Sequence, residues 1–487
     1  MRRNHWIVAV LTVAGFAGCT VGPKYQRPTA QAPAAWSGEG PWRTVAPKDA
    51  IPKGSWWKIF HDEQLNQYEK QLLAANQSLT AAQSRLNEAR SLARVASAGL
   101  YPTMSADPSV VGGRISANRP GTALPQVALT QATYTIPFDI NYEVDLFGRA
   151  RKTLEAANAN LQSAAADLQN TQLVLTAELA ADYFSLRELD AEAQVVQESI
   201  DIEQKGLDLV NRRHDGGLAS GLDVAQQQTT LEATKAQLHL IQQQRATFEH
   251  AIAVLTGNPA SKFQIAAAPL ETPPPPIPLG VPSDMLERRP DVAAAERLMA
   301  RQNALVGVAK TAFYPQLTIS AGGGVQSTSL SSLFTAPSAI WAVGGDLLQP
   351  IFNGGRNRAN LAATKATYDE SVANYRESVL IAFQQVEDGL TSLNALSQAA
   401  TSQSAAVTSA KKSLELSNNR YVGGLASYLD VVTAQVAVLE SQRLETQLLG
   451  QQIVTSVYLV KALGGGWDAS AIQDEVVHPT AGQAFHQ

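Results

Sequence analysis

The feature that most constrains this chain is an internal duplication. The segment Asn211–Val224 recurs as Asn418–Val431, with ten of fourteen positions identical at an offset of 207 residues. Three further matches keep this offset: Gly148-Arg149 with Gly355-Arg356, Asp139 with Asp346, and Gly257 with Gly464. Tyr101-Pro102 matches Tyr314-Pro315 at an offset of 213, so six residues differ in the interval that follows. We therefore expect a tandem repeat of about 200 residues per half.

Within each repeat the hydrophobic pattern changes from helical to strand-like. Residues 62–99 predict a helix that stops before Pro102. Between Ala132 and Leu146 the even positions are apolar and the odd positions are mostly polar, which predicts a two-faced strand. The expected strands form one hairpin per half: Thr103–Ala117 with Ala132–Leu146, and Leu317–Gln326 with Ala339–Pro350.

Four strands of this kind cannot close a barrel by themselves. An apolar sheet with open edges is not viable in lipid, and bacterial outer-membrane barrels begin at about eight strands. The chain is therefore expected to pool its strands with copies of itself. Two copies would give a barrel of about eight strands filled by side chains, and three would give about twelve strands with room for a lumen. The alternative is a soluble β-sandwich domain inserted into a helical protein.

The stretch after each hairpin predicts helices far longer than a globular domain needs. Arg149–Arg212 contains no proline and would run ~95 Å as a helix. Four leucines repeat at a spacing of seven, which predicts left-handed coiled packing: Leu154, Leu161, Leu168 and Leu175. A Gly-Gly pair, Gly216-Gly217 or Gly423-Gly424, then reverses the chain into return helices that begin near Leu222 and Leu429.

The N-terminus predicts export. Arg2 and Arg3 precede the apolar run Trp6–Phe16, and Ala17-Gly18 ends the segment before Cys19, the chain's only cysteine. This ending resembles a bacterial lipobox, which implies cleavage after residue 18 and a covalent lipid on Cys19.

Two details of this leader depart from the lipobox pattern or refine it. Phe16 stands where a lipobox usually has leucine. Thr20 replaces the aspartate that would favour retention in the inner membrane, so the resemblance implies the outer membrane. The alternatives are an ordinary secretory signal with an incidental cysteine, and an anchoring helix, for which the apolar run is shorter than the roughly 20 residues required.

Composition and charge narrow the class of protein. The net charge is −5, which supplies no basic field for binding nucleic acid. No stretch after the leader is long and apolar enough for a transmembrane helix, which excludes an inner-membrane transporter. The seven histidines show no metal-ligand spacing, and Ala321–Gly324 lacks the lysine of a phosphate-binding loop. We therefore expect no cofactor, no metal site and no enzyme activity.

These patterns predict six segments. They are a signal peptide at 1–18, an extended lipidated segment at 19–61, the first repeat at 62–259, a proline-rich linker at 260–290, the second repeat at 291–466 and a tail at 467–487. The linker contains four consecutive prolines at 273–276, which favour a stiff and extended chain.

The motifs together resemble a TolC-like outer-membrane factor of the NodT-type lipoprotein branch, over nearly the whole mature chain. They are Ser55-Trp56-Trp57 with Phe60, Pro282–Glu296, Ala309–Leu317, Ile351–Arg356 and the duplicated Gly-Gly-Leu-Ala-Ser. The resemblance implies a mainly α protein with a β-barrel part. It would be a homotrimeric channel-tunnel whose twelve-stranded barrel, four strands per chain, continues into a coiled-coil helical barrel. The implied partners are a periplasmic membrane-fusion adaptor, an inner-membrane pump of the RND type and outer-membrane lipid.

The resemblance also implies two sites at the hairpin tips. The adaptor-docking residues would be Gly216, Gly217, Leu218, Gly423, Gly424 and Leu425. The periplasmic aperture would be formed by Asp223, Asp430, Leu222, Leu429, Arg213, Arg420 and Tyr421. The glycines could instead be helix C-caps, and the aspartates could be first-turn residues favoured by the helix dipole. Thr433 stands at a second acidic position of the family, which implies a less charged ring.

Two other classes of function remain as alternatives. A periplasmic coiled-coil adaptor or scaffold lipoprotein would also be exported and helical, although amphipathic strands of about 15 residues are not expected there. An envelope enzyme is the other, but no catalytic motif supports it. Nothing in the sequence specifies the exported cargo.

Overall fold

The computed structural model describes residues 20–28, 36, 43–44, 54–117, 128–268, 270, 274–279 and 288–467. The predicted signal peptide, Cys19 and nearly all of the predicted tail lie outside these residues. The described helices are α1 (Glu63–Ala75), α2 (Gln77–Ala98), α3 (Arg149–Asp215), α4 (Gly221–Leu255), α5 (Pro290–Thr311), α6 (Arg356–Val422) and α7 (Tyr428–Ala462). The described strands are β1 (Arg43–Thr44), β2 (Thr103–Ala106), β3 (Ser109–Ile115), β4 (Leu129–Val144), β5 (Pro278–Leu279), β6 (Gln316–Ser327) and β7 (Ala339–Leu348).

The duplication is visible in the helix lengths. α3 and α6 each contain 67 residues, and α4 and α7 each contain 35. α6 and α7 start 207 residues after α3 and α4, and α5 starts 213 residues after α2, which are the two offsets found in the sequence. No helix among the described residues combines the length and apolarity needed to cross a membrane.

The chain divides into two compact units. The first contains residues 87–163 and 296–374 together with the described N-terminal residues 20–28. It holds an antiparallel sheet in which β4 pairs with β6 and β6 pairs with β7, while β2 and β3 both pair with β4. The two predicted hairpins are therefore present and adjacent.

The first predicted strand is not continuous, and the sequence prediction is wrong on this point. Asp107-Pro108 separates β2 from β3. Proline has no N–H to donate to a ladder, which interrupts the strand. The register is unchanged across the break, because Thr103 pairs with Asn141 and Ser109 pairs with Thr135.

The second unit is helical and contains residues 164–295 and 375–467 with part of the N-terminal region. Its core includes Trp56, Trp57 and Phe60, and the Phe60 ring lies 4.9 Å from that of Phe184. The short parallel pair β1–β5 joins the N-terminal segment to the linker through Arg43 opposite Pro278.

The helix predicted over residues 62–99 is interrupted, so that prediction is also wrong. Asn76 adopts an extended ψ of 125° between α1 and α2. Its Oδ1 accepts a hydrogen bond from the Leu79 N–H at 3.0 Å, and its Nδ2 donates to the Leu255 carbonyl at 2.9 Å. Asparagine favours such a cap, and the distant carbonyl fixes the break at this residue.

Candidate functional site at the hairpin tips

The first tip, between α3 and α4, closes on a glycine. Gly217 has a φ of 73°, and its N–H donates to the His214 carbonyl at 2.8 Å. The N–H of Leu218 donates to the Arg213 carbonyl at 2.7 Å. This is a Schellman-type end, for which glycine is favoured because it has no Cβ to clash at positive φ.

The second tip repeats this geometry. Gly424 has a φ of 72°, and its N–H donates to the Tyr421 carbonyl at 3.0 Å. The Leu425 N–H donates to the Arg420 carbonyl at 2.8 Å. Gly217 and Gly424 are therefore C-caps, as one reading of the sequence expected. The leucine after each cap is exposed, Leu218 by 74% and Leu425 by 75%.

The predicted aperture aspartates lie in the first turns of the return helices. The Asp223 N–H donates to the Ser220 hydroxyl at 3.2 Å, and the Ser220 N–H donates to the Asp223 carboxylate at 2.9 Å. In the second tip both the N–H and the hydroxyl of Ser427 donate to the Asp430 carboxylate at 2.9 Å. Each carboxylate thus stabilises its own helix N-terminus, whatever else it does.

The leucines that precede these aspartates face solvent. Leu222 and Leu429 are both exposed in the single chain. A large apolar side chain next to each carboxylate is suited to contacts with another copy or to narrowing a passage, since neither leucine contributes to the core of its own chain.

The two arginines predicted at the aperture contact an aromatic ring and a backbone carbonyl. The Arg213 guanidinium carbon lies 4.7 Å from the centre of the Tyr421 ring, which is a cation–π contact across the two repeats. Arg420 donates to the Leu425 carbonyl at 3.5 Å. Among the described residues the Tyr421 hydroxyl is buried and has no hydrogen-bond partner. Arg213 and Tyr421 therefore meet through the aromatic ring and not through the hydroxyl.

A buried polar network next to the tip was missed by the sequence analysis. The Tyr428 hydroxyl donates to the Gln227 side chain at 2.8 Å, and Gln227 donates to the Glu203 carbonyl at 2.7 Å. The Tyr428 ring also lies 5.0 Å from that of Tyr421. This network joins α7 to α3 and α4, so it connects the two repeats inside one chain.

Gly206, near the C-terminal end of α3, makes room for this network. A Cβ at Gly206 would lie 3.1 Å from the Tyr428 hydroxyl and 3.2 Å from Gln227 Nε2. Glycine inside a helix costs about 1 kcal/mol relative to alanine. A glycine inside a predicted helix is thus the one sequence signal that could have pointed to this network.

Two titratable groups of this network are affected by burial. Glu203 is 0% exposed, and burial raises its carboxyl pKa, while hydrogen bonds from Thr234 and Ser199 act to lower it. Burial also raises the pKa of Tyr428, with smaller contributions from the charges of nearby residues. The Tyr428 hydroxyl is therefore protonated at neutral pH.

Comparison with known proteins identifies this architecture. The family model described as "Outer membrane efflux protein" matches residues 69–258 and 281–465. The chain belongs to the outer membrane efflux protein family. The two matched segments correspond to the two repeats.

Relatives of known name support the same assignment. The efflux pump outer membrane protein TtgC of Pseudomonas putida is 32% identical over 470 residues, covering 94% of this chain and 95% of that protein. The pyoverdine export outer membrane protein OpmQ of Pseudomonas aeruginosa is 31% identical over 433 residues, covering 88% and 91%. The solved outer-membrane channel OprN matches with a TM-score of 0.85 and 28% identity, covering 92% of this chain and all of OprN.

Three sequence predictions are confirmed by these comparisons. The chain is an outer-membrane factor, its fold is that of the outer-membrane channels with a strand part and a long helical part, and it resides in the outer membrane. This efflux protein is therefore a channel component rather than an adaptor. The aperture, the docking tips and the lipid on Cys19 stay predictions.

Proposed function

We propose that three copies of this efflux protein form a passive exit duct. The duct receives small molecules from an inner-membrane pump of the RND type through a periplasmic adaptor, and it releases them across the outer membrane. This proposal rests on the two open edges of the sheet. Among the described strands, β7 pairs only with β6 at one edge, and β2 and β3 pair only with β4 at the other. Lipid does not tolerate such open edges, so closure requires further copies.

The oligomeric state and conductance of the purified protein test this function. We expect a trimer in mild detergent that resists dissociation, and single-channel conductance in planar bilayers. The runner-up, a periplasmic adaptor or scaffold lipoprotein, would give an elongated monomer or dimer released by salt and no conductance. That outcome would refute the duct.

We propose that the chain has no catalytic activity and needs no cofactor. Its motifs contain neither a nucleotide-binding loop nor a catalytic triad signature, so the energy for export comes from the pump. The only covalent addition in the proposal is lipid on Cys19. Labelling with radioactive palmitate tests it: Cys19→Ser should lose the label while the trimer still forms, and unchanged labelling would refute the anchor.

The hairpin tips are proposed to dock the adaptor. Support comes from the exposed Leu218 and Leu425, which project beyond the two glycine caps and have no packing role in their own chain. Bulky replacement of Gly217 or Gly424 would strain the backbone because of the positive φ, so the leucines are the cleaner targets. Leu218→Asp with Leu425→Asp should weaken adaptor crosslinking several-fold without reducing the yield of trimer.

The aperture is proposed to be ringed by Asp223 and Asp430, with Leu222 and Leu429 as its apolar constriction. The support is that both carboxylates lie in equivalent first turns directly after exposed leucines. Asp430→Ala should reduce cation preference and cation block in bilayer recordings. The control is Ser427→Ala, which alters the same helix start but retains the carboxylate.

The contacts of Arg213, Arg420 and Tyr421 are proposed to hold the aperture closed. Arg213→Leu combined with Arg420→Ser should raise conductance, because the first removes the cation over the Tyr421 ring and the second removes the donor to the Leu425 carbonyl. Tyr421→Phe retains the ring and is the control. Recordings in which the double variant matches the parent channel would refute the closing contacts and leave the duct in place.

A further inference from the structure

The strand register obeys the sequence offsets of the duplication. In the first hairpin Ser109 pairs with Thr135. The offset of 213 carries Ser109 to Gly322, and the offset of 207 carries Thr135 to Ala342. Gly322 and Ala342 are paired in the second hairpin. The same rule carries the pair Thr103 and Asn141 to Gln316 and Leu348, which also pair.

The two repeats meet in a seam between β4 and β6. Eleven residue pairs form this seam, from Tyr134 opposite Ser327 to Val144 opposite Leu317. It joins the second strand of one repeat to the first strand of the next. In a ring of identical copies the same kind of seam must occur where β7 of one copy meets β2 and β3 of the next, since a closed ring alternates the two repeats.

The offsets give the register of that seam between copies. Thr135 pairs with Gln326 within the chain, and their equivalents are Ala342 and Gly113. Ile136 pairs with Val325, and their equivalents are Val343 and Gly112. β7 of one copy would therefore run antiparallel to β3 of the next, with Ala342 opposite Gly113.

The side chains of the two open edges fit this register. Along β7 the exposed Trp341, Val343 and Leu347 lie on one face, and Val110 lies on the matching face of β3. The register sets Val343 opposite Gly112 and Val110 opposite Gly345, so a large residue meets a small one at each pair. The pairings within the chain place Val110 and Val343 on the same face of the sheet, so a slip of one residue would set residues of opposite faces against each other.

A ring contact closes the seam inside the chain, and two exposed rings lie near the equivalent place on the open edges. Phe147, just before α3, lies 4.8 Å from the Tyr314 ring. Tyr101 is the equivalent of Tyr314, whereas the offset carries Phe147 to Gly354. Phe352 lies two residues earlier in the same turn, and the register continued beyond β7 sets it opposite Thr103 and diagonal to Tyr101, within reach of an aromatic side chain. Tyr101 is 69% exposed and Phe352 is 90% exposed in the single chain. Both rings lie next to the open edges, where a second copy would bury them.

We propose that the open edges join copies through an antiparallel seam in which Ala342 lies opposite Gly113 of the next copy and Phe352 packs on Tyr101 of that copy. This interface rests on the trimeric duct proposed above and specifies which residues hold it together. The partner is a second copy of the same chain, and the register follows from the seam that the two repeats already make.

Cysteine crosslinking tests the register. Directly opposed residues bring their Cβ atoms to about 4.5–5.5 Å, whereas diagonal neighbours are about 7–8 Å apart, too far for ready disulfide formation. Ala342→Cys with Gly113→Cys should give covalent trimers on oxidation. A Cβ at Gly113 meets no atom within 4 Å in the single chain. The off-register controls are Ala342→Cys with Val111→Cys and Ala342→Cys with Ile115→Cys, and the single variants report any crosslink to Cys19.

The outcomes separate the register from the proposed function. Several-fold more crosslinking in the Ala342 and Gly113 pair than in either off-register pair supports the seam. Equal or stronger crosslinking in an off-register pair, in a protein that still elutes as a trimer, overturns the register and leaves the duct standing. A protein that elutes as a monomer before oxidation overturns the duct itself.

A double-mutant cycle tests the ring contact. Phe352→Ala and Tyr101→Ala should each make the trimer dissociate roughly 2- to 12-fold faster in detergent, and the double variant should dissociate no faster than either single variant. Phe334→Ala removes an equally exposed ring outside the seam and should leave the rate unchanged. Additive effects of the two substitutions would show that the rings do not touch and would overturn this contact.

Discussion

The two long hairpins of this chain have the same lengths and turns but differ in what they bury. In the first hairpin four charged side chains are almost fully buried: Arg187, Asp190, Glu192 and Glu203. At the equivalent positions of the second hairpin the sequence has uncharged residues: Asn394, Ser397, Ala399 and Ala410. The duplication has kept the architecture and changed the chemistry of one half.

The buried charges of the first hairpin pair with one another and with the linker. Asp190 accepts hydrogen bonds from Arg187 at 2.9 Å and from Arg245 at 2.6 Å. The same arginines donate to the carbonyls of Ala266 and Ile265 in the linker, at 2.7 Å and 2.6 Å. The first hairpin therefore holds the linker, and its charges are compensated where they are buried. The residues that differ between the repeats thus show that the first repeat has an additional structural role, which is to hold the linker.

The largest expected effect is at Asp190. Asp190→Ala leaves Arg187 and Arg245 buried without their carboxylate and should lower the free energy of unfolding by about 3–5 kcal/mol. The matched substitution in the second hairpin, Ser397→Ala, should change it by no more than about 0.5 kcal/mol. Chemical unfolding followed by far-UV circular dichroism measures both. Equal effects would mean that the two hairpins do not differ as described.

The ion pair between α7 and α3 should have the next largest effect. The Arg443 guanidinium contacts the buried Glu192 carboxylate at 2.7 Å. Arg443→Met should cost about 1–3 kcal/mol because Glu192 loses its compensating charge. A second substitution, Glu192→Leu, should restore most of the loss, since an apolar pair can replace a buried ion pair. A double variant no more stable than Arg443→Met would contradict this.

The two hairpins should also differ in how they contribute to the pH dependence of stability. Burial, with a smaller contribution from Glu192, raises the pKa of Glu188 from 4.5 to about 7, and its counterpart in the second hairpin is Ala395. The folded protein holds this proton more tightly than the unfolded chain, so stability falls as the pH rises from 4.5 to about 7. Glu188→Gln should remove this part of the slope. The control Glu198→Gln, at an exposed site of the same helix, should retain it.

The smallest effect concerns the helix starts, where the hairpins are nearly alike. Ser220→Ala removes the acceptor for the Asp223 N–H and should destabilise the start of α4 by about 1 kcal/mol. Ser427→Ala should cost less, because the Ser427 hydroxyl donates to the Asp430 carboxylate instead. Hydrogen exchange of the first-turn amides measures each helix separately, and a larger effect at Ser427 would reverse this order.

Local sequence patterns predict much of this fold, because the formation of helices, strands and turns depends largely on neighbouring residues in the chain. The helix lengths follow from proline-free stretches that end at glycine pairs, and the strands follow from alternation along β4. The glycine pairs predict C-caps at the tips and the first-turn aspartates predict partners for the helix N-termini, and the backbone geometry shows both. The lengths of the long helices in the second repeat were also predictable, because an offset of 207 residues relates the starts of α6 and α7 to those of α3 and α4.

Only the tertiary structure decided which distant side chains meet. Nothing in the sequence near Gly206 shows that Tyr428 occupies the space beside it, since 222 positions separate them. The break at Asn76 likewise depends on the Leu255 carbonyl, which lies 179 residues away. Periodicity and turn chemistry are short-range properties and can be read along the chain. The compensation of a buried polar group depends on packing between helices, and only the folded protein brings those partners together.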